Sequence, residues 1–237
     1  MGGSVAHVVR TAAAAVALVI GLAACTSAQT GTGVPASSDT GSMQDFVPTA
    51  DNPDPTDDID GVTKVYYTAP KHVARDARVR YQYSPPLGGT HDYAWAGCTG
   101  VVYPTGIRSE NAVHSLEHGA VWVTYNPDEL DSDEIARLAD RVDGVDYTLM
   151  SPYPGLDQPI SVQSWGHQLK VSDAADPRID QFITATKQNS QAGVYGEDLD
   201  ATGFPEPGAT CAAVPGAFDQ ADPPPFDPRQ GDVPDDL

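Results

Sequence analysis

His114, Glu117 and His118 stand as His-x-x-Glu-His within Val113-His114-Ser115-Leu116-Glu117-His118-Gly119. On a helix, side chains at i and i+4 lie one above the other, so two imidazoles at this spacing can face one ion. A third, His91, lies upstream in a Pro/Gly-rich loop able to fold over the same face, and His72 precedes it. These are four of the chain's six histidines. Neutral imidazole suits zinc, copper, nickel and iron. The pattern predicts a transition-metal site of His91, His114 and His118, with His72 the candidate fourth ligand and zinc or copper(II) the ion. Met150 is the only methionine in the predicted domain, which argues against a sulfur-rich copper(I) site. Glu117 is expected to orient a ligand histidine through a hydrogen bond or to cap nearby backbone. The competing expectation is structural, with two helical histidines packing where a helix meets a sheet.

The elements that must position these residues follow from periodicity. Ser109 reads as the N-cap of a helix from Glu110 to His118, with Glu110 favourable near its positive end and Gly119 as its stop. Ala120 to Tyr125 alternates like a strand, with Val121, Val123 and Tyr125 on one face. Ile135, Leu138 and Val142 mark a second helix over Ser132 to Val142. Ile179, Phe182 and Ile183 mark a third over Asp176 to Lys187. Val62 to Thr68, Val79 to Tyr83, Val145 to Met150 and Ile160 to Val171 read as strands, the last bent at Gly166. Strands joined directly and through helices predict a single α+β domain over residues 61–211, with a mainly antiparallel sheet and about three helices.

Both flanks differ in composition. Residues 26–60 are Ser/Thr/Gly-rich and then Asp/Pro-rich, and no hydrophobic period survives there, so they read as a flexible tether. Residues 212–237 carry six prolines and six aspartates against one arginine and read as a disordered acidic tail. The net charge of −20 argues against nucleic acid and against basic-patch binding to anionic lipid. Residues 1–25 read as a leader. The apolar run Thr11 to Ala24 is shorter than the about 20 residues a spanning helix needs. Leu22-Ala23-Ala24-Cys25 resembles the lipoprotein box, with Cys25 taking the lipid. The alternative is an ordinary secretory signal. Either places the protein outside the cytoplasm, and the first anchors it to the outer face of the cell membrane. Setting Cys25 aside leaves Cys98 and Cys211, an even pair that favours a disulfide in an oxidising compartment. A metal thiolate at Cys98, close to His91, is the competing reading.

Other chemistries are limited. The chain has no Gly-x-Ser-x-Gly elbow, no phosphate-binding loop, no dinucleotide fingerprint and no Cys-x-x-Cys. His-x-x-Glu-His matches the inverted metalloprotease order, in which Glu117 would be the catalytic residue activating water. Such enzymes are much larger and take an acidic ligand from a distant helix, so hydrolysis ranks below metal binding. Trp95, Trp122, Trp165 and the tyrosines Tyr81, Tyr83, Tyr93, Tyr103 and Tyr125 read mostly as core. Their rival use is a platform for glycan, and an envelope protein or glycan is the partner class if no metal is bound. His167 is expected on an exposed strand position, outside the ligand set.

Ser84-Pro85-Pro86-Leu87-Gly88-Gly89-Thr90-His91, Trp95, the histidine helix and Trp165-Gly166 together resemble the bacterial domain of unknown function 3105. Its actinobacterial branch is matched by Cys98, Glu110-Asn111, Ser151 to Leu156 and Pro205 to Cys211. The two-glycine loop departs from the Pro-Pro-x-Ser-Gly-x-His form of many members outside that branch. The resemblance spans about Val62 to Cys211 and implies a one-domain envelope protein. It strengthens the pairing of Cys98 with Cys211 and brings no activity with it.

Overall fold

The computed structural model of the chain describes residues 1–3, 42–67, 71–191 and 203–235. The apolar leader and Cys25 lie outside the described residues. Among these no helix is long and apolar enough to cross a membrane.

In chain order the elements are β1 (Thr63–Lys64), β2 (His72–Val73), β3 (Val79–Arg80), β4 (His91–Asp92), β5 (Thr99–Val102), α1 (Ser109–Glu117), β6 (Val121–Tyr125), α2 (Ser132–Ala139), β7 (Thr148–Pro152), β8 (Ile160–Ser164), β9 (His167–Val171), α3 (Pro177–Thr186) and β10 (Val233–Pro234). Six strands form one sheet in the order β1-β9-β8-β6-β7-β5. The β1–β9, β8–β9 and β6–β8 pairs are antiparallel, whereas β6–β7 and β5–β7 are parallel. The α+β expectation holds, and the sheet is mixed because α2 carries the chain from β6 back to lie parallel at β7.

The sheet is covered on both sides. Trp122 and Leu149 pack with Ala112, Val113 and Leu116 of α1, while Val121, Val123 and Met150 pack with Leu138 of α2 and Ile179 and Phe182 of α3. Alternate residues of β6 thus feed two cores, which is why all five are buried. Helix α2 begins with a capping box. The Asp131 carboxylate accepts from the Asp133 and Glu134 amides at 2.9 Å, and Glu134 accepts from the Asp131 amide. Asp176 caps α3 through the Arg178 amide.

Several expectations change. Ser109 lies inside α1 rather than capping it. Arg108 holds the cap position without a side-chain cap bond, because its guanidinium is turned toward Asp92 and Glu110. The single bent strand from Ile160 to Val171 is a hairpin, β8 and β9, turning at Trp165-Gly166 with Gly166 at φ +69°. Of the strands expected over 62–68 and 79–83, the described residues form the two-residue β1 and β3, and Thr68 lies outside the described residues.

Both flanks fold onto the domain where they are described. Phe46 and Ile59 are buried in the core that includes α3, and Pro55–Asp58 forms a 3-10 turn capped by Asp54. Phe218 is buried against Tyr103, and the Phe226 ring lies 4.5 Å from Tyr153. The Arg108 amide donates to the Pro224 carbonyl, the Phe226 amide to Gly106, and β10 pairs with β3. Few but well-placed aromatic and branched side chains anchor segments whose average composition reads as disordered. Cys98 and Cys211 are disulfide-bonded, so the thiolate reading of Cys98 falls.

Candidate metal centre

The strands β2 and β4 form a parallel two-residue bridge that sets His72 opposite His91. Paired residues on neighbouring strands project to the same face, and α1 packs against β4. The outcome is a triangle of imidazoles. The ring centroids of His72 and His91, of His91 and His114, and of His72 and His114 are each 4.8 Å apart. Glu117, one turn along α1 from His114, closes the group. Its Oε2 lies 2.7 Å from His91 Nε2, 3.5 Å from His72 Nε2 and 3.7 Å from His114 Nε2. Tetrahedral zinc with bonds of about 2.0–2.1 Å requires ligand-to-ligand edges of about 3.3 Å. The three edges scatter around that length. His91, His114 and Glu117 are buried, whereas the His72 side chain is 35% exposed.

Backbone carbonyls fix the rings. His91 Nδ1 lies 2.7 Å from Gly89 O, His114 Nδ1 2.8 Å from Asp92 O and His118 Nδ1 2.8 Å from Thr210 O. A carbonyl only accepts, so each Nδ1 carries a hydrogen, and in the neutral ring Nε2 is then a lone pair aimed away from that carbonyl. That is how proteins orient imidazole for metal. Burial, with His91 and His118 nearby, pushes His114 down to about 3 against the opposing pull of the Asp92 carbonyl and Glu117. His114 is therefore neutral at pH 7. Burial raises the Glu117 carboxyl, but a protonated His91 donating to it, with positive charge shared among His91, His114 and His72, outweighs burial when the site holds a proton rather than a metal. Glu117 is held below the ordinary carboxylate value.

A buried ion-pair lattice supports this arrangement. Arg108 pairs with Asp92 and, at 3.1 Å, with Glu110. Glu110 also accepts from the Val79 amide at 2.9 Å and lies 3.3 Å from Arg78. Asp92 accepts from the Ala94 amide, and its own carbonyl receives His114 Nδ1–H. Paired buried charges of this kind fix geometry more than they add stability. Gly119 turns the chain out of α1 at φ +81°, where an added Cβ would sit 2.7 Å from Phe204.

The structure brings together His72, His91 and His114 and places Glu117 among the candidate ligand atoms. His118 packs ring to ring with His114, 4.7 Å between centroids, but is not in the group around Glu117. As the residue ending α1 it turns toward residues 206–210, with Nε2 3.2 Å from Glu206 Oε2. His114, His118 and Glu206 form a second group whose candidate ligand atoms lie within 4.8 Å of one another. Glu206 was hidden from sequence reasoning by its distance along the chain. Asp92 and Arg108 were hidden because buried charges look like surface ones in a sequence. His167 is buried, not exposed, with Nδ1 on Trp165 O and Nε2 3.3 Å from Asp54, and it joins neither group. Trp122, Trp165 and Tyr103 are core, while Tyr93 stands exposed at the mouth of the site, 4.9 Å from His72.

A family model described as "Protein of unknown function (DUF3105)" matches residues 72–212, more than half of the chain. The match takes in both histidine groups and both disulfide cysteines. No curated protein and no solved structure matches the chain.

Proposed function

The chain belongs to the DUF3105 family of proteins of unknown function, and for this member we propose that the domain binds one divalent transition-metal ion, zinc or copper(II). The ligands are Nε2 of His72, His91 and His114 and a carboxylate oxygen of Glu117. The observation that carries this reading is the convergence of three imidazole nitrogens on one buried carboxylate oxygen at 2.7–3.7 Å. Two of those rings have their other nitrogen committed to backbone carbonyls. Three nitrogens and one oxygen suit zinc and copper(II) better than calcium or magnesium, which take oxygen. Glu117 sits within the ligand set rather than beside it, so the site holds an ion and does not activate water. Among the described histidines, His118 and His167 take no part in the inner set.

The same reading places the protein at the outer face of the cell membrane, anchored through a lipid on Cys25. What supports it is the Leu22-Ala23-Ala24-Cys25 box after an apolar leader and a disulfide suited to an oxidising compartment.

The test is elemental analysis of the untagged full-length Cys25→Ser protein from an oxidising compartment, followed by titration with zinc and copper(II). About one ion per chain is expected, and it is lost in His91→Ala/His114→Ala. Binding undiminished in that variant would overturn the assignment.

A further inference from the structure

We infer that His118 and Glu206, with His114 held in common, form an outer position for the same divalent ion, through which it is loaded into the inner site. The inference rests on the inner site proposed above.

Three observations carry it. The first is chemical. His118 has its Nδ1–H committed to the Thr210 carbonyl, so its Nε2 lone pair faces the Glu206 carboxylate at 3.2 Å. With the ring neutral, two acceptors face each other there, as His91 and Glu117 do, and a cation between them satisfies both. The second is the gradient of exposure. The Glu206 side chain is 44% exposed, while those of His118 and His114 behind it are almost wholly buried. A hydrated cation meets a carboxylate first and imidazoles next. The net charge of −20 raises the local concentration of cations.

The third is that the outer group is held in place. The Glu206 amide donates to the carbonyl of Glu117, the residue whose carboxylate sits in the inner site. The segment ends at Cys211, bonded to Cys98, and the Cys98 amide donates to the Cys211 carbonyl. Trp95 packs edge-on against both His118 and His114, at 4.7 and 5.3 Å, and donates Nε1–H to Ala212 O. Glu206 is thus tied to both ends of the relay.

His114 Nε2 can bind one ion at a time, which makes the two positions successive rather than simultaneous. The step is ligand exchange. Bonds from the ion to Glu206 and His118 break as bonds to Glu117, His72 and His91 form, with His114 retained throughout. No electron is transferred, and the neutral rings release no proton. Four protein ligands inside against three outside set the direction inward.

The experiment is stopped-flow loading and chelator-driven release of zinc from the untagged full chain, comparing Glu206→Gln and His118→Gln with wild type. Glu206 is half-exposed, so its amide leaves the fold intact. Asp133→Asn, exposed on α2 across the sheet, controls for general charge. Loading and release should both slow roughly tenfold in Glu206→Gln, with stoichiometry and affinity kept, and Asp133→Asn should match wild type. Unchanged rates with one ion still bound would overturn the relay alone. Equal slowing in Asp133→Asn would overturn it too. A fall in equilibrium affinity instead would make Glu206 a permanent ligand. A wild-type protein that binds no ion would sink the inner site and the relay together.

Discussion

Nε2 of His91 and Oε2 of Glu117 stand 2.7 Å apart, while Nδ1 of the same ring faces the carbonyl of Gly89. A neutral ring with its hydrogen on Nδ1 has none for Glu117, and a carboxylate has none to offer in return. The contact is favourable only with a proton or a cation on that line. Glu117→Gln supplies an N–H donor to His91 without a charge. It should leave the fold intact and weaken zinc affinity by at least about 100-fold, the upper end of what losing a ligand's hydrogen-bonded partner costs. A competition titration against a chelator measures it. Equal affinity in the two proteins would remove Glu117 from the site.

Acid should destabilise the metal-free protein. His114 is pushed from 6.5 in the unfolded chain to about 3 in the fold, so below pH 6.5 the unfolded chain binds a proton the native one refuses. Glu117 and Asp54 are also held below their ordinary values in the fold. For Glu117, burial opposes the lowering and the His91 hydrogen bond drives it. For Asp54, burial likewise opposes, and the His167 hydrogen bond drives. All three give stability that is present above the unfolded pKa and lost as pH falls toward the folded one. Urea midpoints in chelator should drop steadily from pH 7 to pH 4. His114→Gln, with no group to protonate at 114, should flatten the part near pH 6. A wild-type midpoint independent of pH across that window would contradict these assignments.

The disulfide closes a loop across a sequence separation of 113 residues. In the chain-entropy model it contributes about 4 to 5 kcal/mol. Cys98→Ala/Cys211→Ala should lose stability on that scale in urea unfolding. A loss under about 1 kcal/mol would mean that the unfolded chain is restrained some other way.

The C-terminal segment is part of the fold. Phe218→Ala removes a buried ring packed on Tyr103 and should cost about 3–5 kcal/mol. Val214→Ala, at an exposed position in the same segment, should change stability by less than about 0.5 kcal/mol. Equal, small effects would show that the segment does not dock in solution.

Much of the scaffold was legible from periodicity. Leu138 and Val142, and Ile179 and Phe182, mark the buried sides of their helices, and Val121, Val123 and Tyr125 share one core as their alternation requires. The histidine helix was legible too, but not which of its residues converge. His114 and His118 do meet as the i and i+4 rule requires, at 4.7 Å, but around Glu206, while Glu117 gathers His114 with His91 and His72. Glu117 swings in because it is three residues on from His114, on the same helix face. His72 arrives through strand register with His91, a pairing of two-residue strands too short to leave a pattern. The flanks were misjudged because Phe46, Phe218 and Phe226 are single anchors in Pro/Asp-rich sequence. Their burial depends on partners far along the chain.

The central claim is a four-ligand site of His72, His91, His114 and Glu117. Its most direct test is X-ray absorption at the metal edge of the zinc-loaded protein, with the His72→Ala and His118→Ala variants. The account predicts three imidazoles and one oxygen at about 2.0–2.1 Å, one imidazole fewer in His72→Ala and an unchanged spectrum in His118→Ala. Sulfur at about 2.3 Å, or an imidazole lost with His118 and not with His72, would contradict it.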